Sequence, residues 1–353
     1  MKTLHDLDIQ PGLRVLLRID INEPVNDHGM PQSTFRLEQV LPTIQYLRDQ
    51  KARVILMAHL GNPDGKEVPQ LRFDYMAREL SRLGGFSVQK VDSIVGDFAE
   101  SQAASLEPGE VILLENLRFD KREEENSDAF ALELSKLGEV YVNDAFSVSH
   151  RSHTSTVAIT KYLPSYAGFL LTEEVRVLSE VLHNPTRPAV AIVGGAKIST
   201  KLPVIKALQK QFDTVLVGGK IANEYLDTYG SSQIPNVIFP VDFAGDDRFD
   251  IGPKTIEQFS HYIESAKTIV WNGPLGFIEQ KPYDKGTLAV ATAIANNPDV
   301  YSVIGGGETV DEIHQLNKDD KIDFISTGGG AMLSFIATDG ALPALMMLED
   351  PTV

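Results

Sequence analysis

Short apolar segments recur along the chain and alternate with stretches of helical periodicity, and this alternation constrains the fold more than any other feature. The apolar segments begin at Val15, Arg53, Val111, Val140, Ala189, Asp213, Thr268 and Tyr301. Continuous apolar runs of this length are typical of strands buried on both faces of a parallel sheet. Amphipathic stretches such as LEQVLPTIQYLRDQ and AFALELSKL lie between them. The pattern predicts repeated βαβ units, and hence an α/β protein with doubly wound, Rossmann-like parallel sheets.

The length of 353 residues predicts two domains, because single hydrophobic cores stop growing at roughly 250 to 300 residues. The segment from Thr172 to Pro188 reads as a helix that is closed by Asn-Pro and Arg-Pro, where proline ends helical geometry. We expect the domain junction in this segment. FISTGGGA, which starts at Phe324, fits either a further strand or a buried turn. The predicted division is an N-terminal domain at 1–170, an interdomain helix and hinge at 171–188, a C-terminal domain at 189–340 and a tail at 341–353.

Composition excludes several classes of function. The chain has no cysteine, so disulfides, thiol catalysis and thiolate metal sites are impossible. The formal net charge of -17 would repel nucleic acids and anionic membranes at long range, so neither is an expected partner. The first residues, MKTLHDLDIQPG, lack the apolar core of a signal peptide, and a cytoplasmic location is expected. An anionic ligand must therefore meet a local cluster of cationic side chains.

The ends of the predicted strands differ between the two halves of the chain. In open α/β sheets, ligands bind outside the carboxyl ends of the strands. In the first half these ends carry polar and cationic residues, namely Asp20, Asn22, His59, Asn116, Arg118, Asn143, Asp144, His150, Arg151 and His153. In the second half they carry the glycines Gly194–Gly195, Gly218–Gly219, Gly273, Gly276, Gly305–Gly307 and Gly328–Gly330. The first set suits a small phosphorylated acid, and the second suits a polyphosphate that approaches the backbone closely.

Other readings of these residues stay open or fail on the sequence. The P-loop pattern G-x-x-x-x-G-K-[ST] is absent, and GGGETV from Gly305 lacks the last glycine of a dinucleotide fingerprint, which disfavours a dehydrogenase. His59, His150 and His153 could form a metal site, although Arg151 would oppose a bound cation. Singly, the arginines and lysines could be solvated surface charges and the glycines tight turns.

A series of motifs resembles the successive signatures of phosphoglycerate kinases, in the family's order and across almost the entire chain. The motifs are RIDINEPV, MAHLGNP, LLENLRF, VNDAFSVSHRSH, GGAKISTK, DIGPKT, VWNGPLGFIE, IGGGET and ISTGGGA. The resemblance implies reversible phosphoryl transfer between 1,3-bisphosphoglycerate with ADP and 3-phosphoglycerate with ATP, in glycolysis and gluconeogenesis. It also implies a monomer with hinge bending between its domains, and a C-terminal tail that returns to the N-terminal domain.

The resemblance assigns binding of 3-phosphoglycerate to the N-terminal domain. The residues it implicates are Asp20, Ile21, Asn22, Arg36, His59, Leu60, Gly61, Asn62, Arg118 and Arg151. Arg36 resembles the family arginine that reaches the transferring phosphoryl group, which makes it a candidate catalytic residue. Guanidinium groups suit this task because they pair with phosphate oxygens in a bidentate way.

The resemblance assigns nucleotide binding to the C-terminal domain. The residues it implicates are Gly194, Gly195, Lys197, Lys201, Gly218, Gly219, Asn272, Pro274, Glu279, Gly306, Gly307, Glu308 and Thr309. Lys201 resembles the family lysine that neutralises phosphate charge during transfer and is the second candidate catalytic residue. Glu279 matches the acid that binds ribose hydroxyls. Glu308 would bind Mg²⁺ together with the nucleotide.

The sequence also departs from the family pattern. Asn62 stands where the family usually has an arginine that binds phosphate, Ser147 and Val148 replace Gly-Thr, and Glu308 replaces an aspartate. The stretch before DIGPKT lacks a few tens of residues, including a helix that contacts adenine in the family. An alternative to catalysis is therefore a repurposed relative that binds a nucleotide or a phosphorylated metabolite without turnover.

Overall fold

The computed structural model describes residues 1–196, 198–230 and 234–349, with side chains omitted for 198–200, and the chain forms two compact units. Unit 1 comprises Met1–Glu174 together with the described residues from Ala341 onward, and unit 2 comprises Val175–Gly340. The boundary between the units lies between Glu174 and Val175, inside the segment 171–188 that the sequence assigns to a hinge. The helix Phe169–His183 crosses this boundary, so it belongs partly to each unit.

Unit 1 is built on a six-stranded parallel sheet in the order β3-β4-β2-β1-β5-β6. Its strands are β1 (Arg14–Arg18), β2 (Arg53–Met57), β3 (Val88–Lys90), β4 (Val111–Leu113), β5 (Val140–Asn143) and β6 (Ser165–Ala167). The helices are α1 (Phe35–Asp49), α2 (Asp74–Gly84), α3 (Asp97–Ser105), α4 (Asp128–Ser135) and α5 (Phe169–His183), and α5 continues into unit 2.

Unit 2 repeats this architecture with a six-stranded parallel sheet in the order β14-β13-β12-β7-β8-β9 and a two-stranded antiparallel sheet, β10-β11. Its strands are β7 (Ala189–Val193), β8 (Thr214–Val217), β9 (Val237–Ile238), β10 (Phe243–Ala244), β11 (Asp250–Ile251), β12 (Thr268–Asn272), β13 (Tyr301–Gly305) and β14 (Phe324–Ser326). The helices are α6 (Ile198–Gln211), α7 (Gly219–Tyr229), α8 (Pro253–Ser265), α9 (Lys285–Asn296), α10 (Gly307–Gln315) and α11 (Gly329–Ala337).

Apolar side chains cover both faces of the unit 1 sheet, as the continuous apolar runs require. Along β1, Val15 and Leu17 pack into one buried cluster, while Leu16 packs into another that includes Tyr141. Successive side chains of a strand point to opposite faces, so one run supplies two cores. In unit 2, Trp271 is fully buried within a comparable cluster.

The predicted α/β class with two parallel sheets is confirmed, and FISTGGGA does form a strand, β14. The short strands β3, β6 and β9 were not predicted from the sequence. Each has only two or three residues, too few to express a periodicity.

The segment after unit 2 packs onto unit 1. It contains α12 (Pro343–Met346), and the Ala344 N–H donates to the Ser149 carbonyl at 3.1 Å. The Lys2 N–H donates to the Leu348 carbonyl at 3.3 Å. Across the part of the chain that the structure describes, no helix combines the length and apolar character needed to cross a membrane.

Candidate active site

The order of the strands indicates where each unit can bind a ligand. In unit 2, β7 and β12 are neighbours, and the chain leaves them toward opposite edges of the sheet. In unit 1, β1 and β5 have the same relation. Ligands of open α/β sheets bind in the crevice outside the carboxyl ends of the strands at such a switch point. The predicted site residues follow β1, β2, β4 and β5 in unit 1 and β7, β8, β12 and β13 in unit 2, and thus lie at these edges.

After β1, the Asp20 carboxylate forms an ion pair with the Arg36 guanidinium, with Nη1 at 2.5 Å from Oδ2. Asp20 is 1% exposed. Burial acts to raise the pKa of Asp20, but Arg36 and the Asn22 N–H more than offset it, so the pKa lies below its ordinary value. Asp20 in turn raises the pKa of Arg36. The pair holds the Arg36 guanidinium in one place while donors remain for a ligand.

Two asparagines tie together the loops that follow β1, β2 and β4. The Asn22 side-chain oxygen accepts from the Gly61 N–H at 2.8 Å. The Asn116 amide accepts from the Leu60 N–H at 3.2 Å and donates to the Leu60 carbonyl at 2.8 Å. The structure thus brings the predicted residues Asn22, Leu60 and Gly61 into one connected set. Asn116, which is fully buried, was recognised as a strand end but not as the anchor of this loop.

Arg118 is buried, and protein groups contact its guanidinium. Its Nη1 donates to the Gly61 carbonyl at 2.7 Å and to the Asn62 side-chain oxygen at 2.5 Å. Its Nε lies 3.2 Å from a carboxylate oxygen of Glu124. Burial lowers the pKa of Arg118, Glu124 opposes that effect, and nearby Arg151 adds to it. Asn62, the departure from the family pattern, therefore orients Arg118.

His59 is buried among cationic and imidazole groups. Burial lowers the pKa of His59 well below its ordinary value, and Arg18, Arg118, His153 and Arg151 act in the same direction. Burial and the same arginines lower the pKa of His153 to about 3. Both imidazoles are therefore neutral at physiological pH, and the positive charge here comes from the arginines. This is the local cationic cluster that an acidic chain needs for an anionic ligand.

A polar network beneath this cluster was missed by sequence reasoning. Arg18 and Glu123 are both fully buried, and Ser155 lies between them. The one available signal was an arginine inside the apolar run VLLRIDI, since a charged residue is almost never fully buried without a partner. Nothing in the run KREEEN distinguishes Glu123 from its neighbours.

The glycines after β7 and β12 allow two backbone segments to cross. A Cβ on Gly194 would lie 2.1 Å from the Pro274 carbonyl oxygen, and one on Gly273, whose φ is +92°, would lie 2.5 Å from the Gly194 carbonyl oxygen. The Gly194 and Gly195 N–H groups donate to the carbonyls of Asn272 and Pro274, both at 2.9 Å. The Gly218 and Gly219 N–H groups likewise donate to backbone carbonyls. These four N–H groups therefore donate to the protein backbone, and close backbone packing accounts for the glycines. Nucleotide binding by these glycines stays a prediction.

Lys201, on α6, lies at the end of β12. Its Nζ donates to the Asn272 side-chain oxygen at 3.0 Å, and the Asn272 amide donates to the Gly329 carbonyl at 3.1 Å. Burial lowers the pKa of Lys201 to about 8, although Glu308 opposes the effect. Lys201 is thus a desolvated cation with a fixed position. Lys197, the other predicted lysine, lies outside the described residues.

Glu308 and Thr309 lie in the first turn of α10. Burial raises the pKa of Glu308, nearby Glu279 acts in the same direction, and Lys201 opposes both. Thr309 is fully buried, and its hydroxyl has no hydrogen-bond partner among the described residues. The first N–H groups of a helix also lack intrahelical acceptors. This turn therefore offers donors, a hydroxyl and a carboxylate to an anion and its counterion.

These oxygen atoms fit Mg²⁺, a hard cation that proteins bind through one or two carboxylates together with substrate phosphates. Among the described residues, no group of three or more His, Asp or Glu side chains could hold a metal by itself. A carboxylate next to a phosphate-binding helix terminus is the arrangement that a metal carried by a nucleotide requires.

The edges of the two sheets together point to a class of enzyme. A cluster of arginines at the edge of one parallel sheet, together with a buried lysine and a helix terminus at the edge of another, suits an enzyme that handles phosphorylated small molecules.

Comparison with known proteins specifies the family. The sequence pattern described as "Phosphoglycerate kinase" matches residues 4–239 and 240–339. The phosphoglycerate kinases of Moorella thermoacetica and Chlorobium phaeobacteroides are 41% and 40% identical, each over 99% of both chains. The solved phosphoglycerate kinase structures from Pyrococcus horikoshii and Coxiella burnetii superpose with TM-scores of 0.86 and 0.83, at 32% and 33% identity, and each covers at least 98% of both chains. The chain belongs to the phosphoglycerate kinase family, and its activity is phosphoglycerate kinase activity.

This chain is shorter than its phosphoglycerate kinase relative from Moorella thermoacetica. The alignment with the Moorella relative extends over 392 positions, whereas this chain has 353 residues. The family pattern is matched in two parts that meet at residues 239 and 240, between β9 and β10. The relative thus contains some tens of residues that this chain lacks.

Proposed function

We propose that unit 1 binds 3-phosphoglycerate at the ends of β1, β2, β4 and β5, and that unit 2 binds Mg-ATP at the ends of β7, β12 and β13. The observation that carries this assignment is the gathering of Arg118 and Arg151 around a neutral His59 in a chain whose net charge is -17. The domain ranges, a monomeric state and a cytoplasmic location stay predictions.

The reaction needs no protein base. The nucleophile is the carboxylate of 3-phosphoglycerate, which is already ionised at neutral pH. Its oxygen forms a bond to the γ-phosphorus of ATP as the bond to the ADP oxygen breaks. Positioning and neutralisation of charge then account for the catalysis. Arg36, held by Asp20, and Lys201, held by Asn272, provide the fixed positive charges.

Mg²⁺, when bound with the nucleotide, neutralises charge on the phosphate oxygens. Glu308 would hold it, with Glu279 close enough to raise the pKa of the Glu308 carboxyl. The unpartnered Thr309 hydroxyl and the first N–H groups of α10 would bind phosphate oxygens. Glu279 would accept hydrogen bonds from the ribose hydroxyls.

Phe277 provides an exposed aromatic surface two residues before Glu279. It is 44% exposed, and its ring centroid lies 5.7 Å from that of Phe249. We propose that it stacks on the nucleotide base in the shortened unit. Stacking tolerates any base because every base has a π-face.

A coupled assay of ATP consumption, dependent on both 3-phosphoglycerate and Mg²⁺, tests the proposal, with calorimetry to measure binding of each substrate alone. Arg118→Ala should weaken binding of the acid and leave nucleotide binding unchanged. Arg82→Ala is the matched control in the same unit, because Arg82 is 61% exposed and pairs with Glu79 on the surface of α2. Binding of both substrates without turnover would instead support the repurposed relative.

A further inference from the structure

Arg18 is a fully buried arginine in the middle of the unit 1 sheet, and none of the roles described so far uses it. It ends β1, two residues before Asp20. Its Nη2 lies 3.0 Å from His59 Nδ1, its Nε donates to the Ser155 hydroxyl at 2.9 Å, and its Nη1 donates to the Ile19 carbonyl. Each nitrogen of the guanidinium is thus engaged by a protein group.

The hydrogen bonds of this network have one possible direction. The Ser155 hydroxyl accepts from Arg18 Nε, so its single proton goes to the Glu123 carboxylate, whose Oε1 lies 2.6 Å away. Glu123 Oε2 accepts from the Ser155 N–H at 3.0 Å. Glu123 is fully buried, and burial raises the pKa of its carboxyl, while Arg18 and the two Ser155 hydrogen bonds favour the carboxylate that balances Arg18. Arg18, Ser155 and Glu123 therefore form a fixed chain of donors and acceptors.

The direction extends to His59. A guanidinium is a donor only and does not lose its proton in proteins. His59 Nδ1 must therefore accept the hydrogen bond from Arg18, and the ring proton must lie on Nε2. Among the described residues His59 Nε2 makes no hydrogen bond, and the residue is 3% exposed, so the Nε2 proton is left for a ligand. We infer that Arg18, held by Ser155 and Glu123, fixes His59 as a neutral imidazole whose only donor is Nε2–H.

This inference rests on the proposed function for its consequence, because His59 is there proposed to contact the phosphorylated acid. Carboxylate and phosphate oxygens are acceptors, so the Nε2–H tautomer attracts them. The opposite tautomer would present a lone pair to an anion and repel it. Arg18 would thus be a positioning residue, which sets the donor that the acid meets without touching the acid.

The surroundings keep His59 in this form as the pH changes. The charged and titratable groups that face it are Arg18 from β1, Arg118 from the loop after β4, and Arg151 and His153 from the loop after β5. Each positive charge opposes protonation of the imidazole, and so does burial. The His59 imidazole itself should therefore show no titration at the ordinary pKa of histidine, which is about 6.5.

Nitrogen NMR of the unliganded wild-type protein, labelled at its histidines, tests the inference directly. The His59 signals are assigned by their loss in His59→Gln. We expect the shift of an unprotonated nitrogen at Nδ1 and that of a protonated nitrogen at Nε2, unchanged from about pH 6 to about pH 9. A protonated Nδ1, or titration near the ordinary value, would overturn the inference. This measurement needs no substrate, so an enzyme that failed to turn over would refute the proposed function without changing this result.

A paired variant tests the role of Arg18. Arg18→Met together with Glu123→Gln removes both buried charges at once, which avoids leaving one of them unpaired. We expect His59 to lose its single-tautomer signature, and the KM for 3-phosphoglycerate to rise roughly tenfold, the scale of one hydrogen bond to a charged group. In a His59→Ala background the same pair should change KM little, because the imidazole donor through which Arg18 acts is already absent.

The matched control is Arg14→Met with Glu139→Gln, a partly exposed Arg–Glu pair whose arginine also lies on β1, with 3.4 Å between the charged groups. It should leave both the NMR signature and KM unchanged. If the Arg18 pair preserves the His59 tautomer, or if its effect on KM adds fully to that of His59→Ala, then Arg18 does not act through His59 and the inference is wrong.

Discussion

Lys201 gives the nucleotide-binding unit a measurable dependence on pH. Its ammonium group is desolvated beside Asn272, which lowers its pKa to about 8, whereas an arginine at the same position would keep its charge throughout. A polyphosphate binds the charged form of Lys201. We therefore expect the KM for ATP to rise in the wild-type protein above pH 8 and to stay flat in Lys201→Arg.

The magnitude follows from the pKa. With a pKa of about 8, roughly a tenth of the free protein keeps the charge at about pH 9, so a nucleotide that binds only this form loses nearly tenfold in affinity, or about 1.4 kcal/mol. Below about pH 7 the affinity should be constant. Loss of protein stability does not cause this loss of ATP affinity at high pH. The unfolded chain binds more protons than the folded one between about pH 8 and about pH 10.4, so the Lys201 contribution to stability becomes more favourable as the pH rises.

The assay is the KM for ATP at saturating 3-phosphoglycerate and Mg²⁺ across this pH range, with calorimetry of ATP binding alongside. Lys206→Arg is the control, because Lys206 lies exposed on the same helix and should leave the wild-type profile unchanged. A wild-type KM that stays constant to about pH 9.5 would refute the reasoning. So would a Lys201→Arg profile that rises as the wild-type profile does.

Three further predictions concern the substrates. Arg36→Ala should remove about 3 to 4 kcal/mol of transition-state stabilisation and so reduce turnover; near-normal turnover would remove Arg36 from the mechanism. The substitution should also lower the melting temperature, because the buried Asp20 carboxylate loses its partner, and this loss of stability should be smaller in an Asp20→Asn background. Asn62→Arg should lower the KM for 3-phosphoglycerate, because a new charged contact to the phosphate is worth about 1.5 kcal/mol or more. Asn62→Ala, which only releases Arg118, should not lower KM, and a raised KM for Asn62→Arg alone would indicate a loop built for another ligand. ATP and GTP should give similar kcat/KM, and Phe277→Ala should weaken both alike; a preference for ATP of roughly a hundredfold, about 2.7 kcal/mol, would show that another segment recognises adenine.

The strands and many site residues could be predicted because their signals are local. A buried parallel strand is a contiguous apolar run, and the polar residue or glycine that ends it is adjacent in sequence, as with Asp20, His59 and Gly194. The role of the glycines was harder to predict. Whether a glycine N–H meets a phosphate or a neighbouring carbonyl depends on a crossing such as that of Gly194 and Gly273, which only the fold creates.

The network under His59 could not be predicted from the sequence. Arg18 and Glu123 are far apart along the chain and meet through Ser155, which lies on a third segment. Their partnership depends on the sheet order, which places β1 between β2 and β5. The role of Asn62 could not be predicted for the same reason. A comparison of motifs shows only that an arginine is missing at this position, whereas the structure shows that Asn62 contacts and orients Arg118.

The return of the chain to unit 1 after unit 2 has a consequence for biosynthesis. A ribosome extends the chain from its N-terminus, and domains generally fold as units while synthesis continues. Unit 2 is continuous in sequence, so it can fold as soon as Gly340 has emerged. Unit 1 is completed only when Ala344 and Leu348 reach their partners on Ser149 and Lys2. The unit whose synthesis begins first is therefore the last to be finished, and until then the apolar surface that buries Leu345 and Leu348 is available to chaperones.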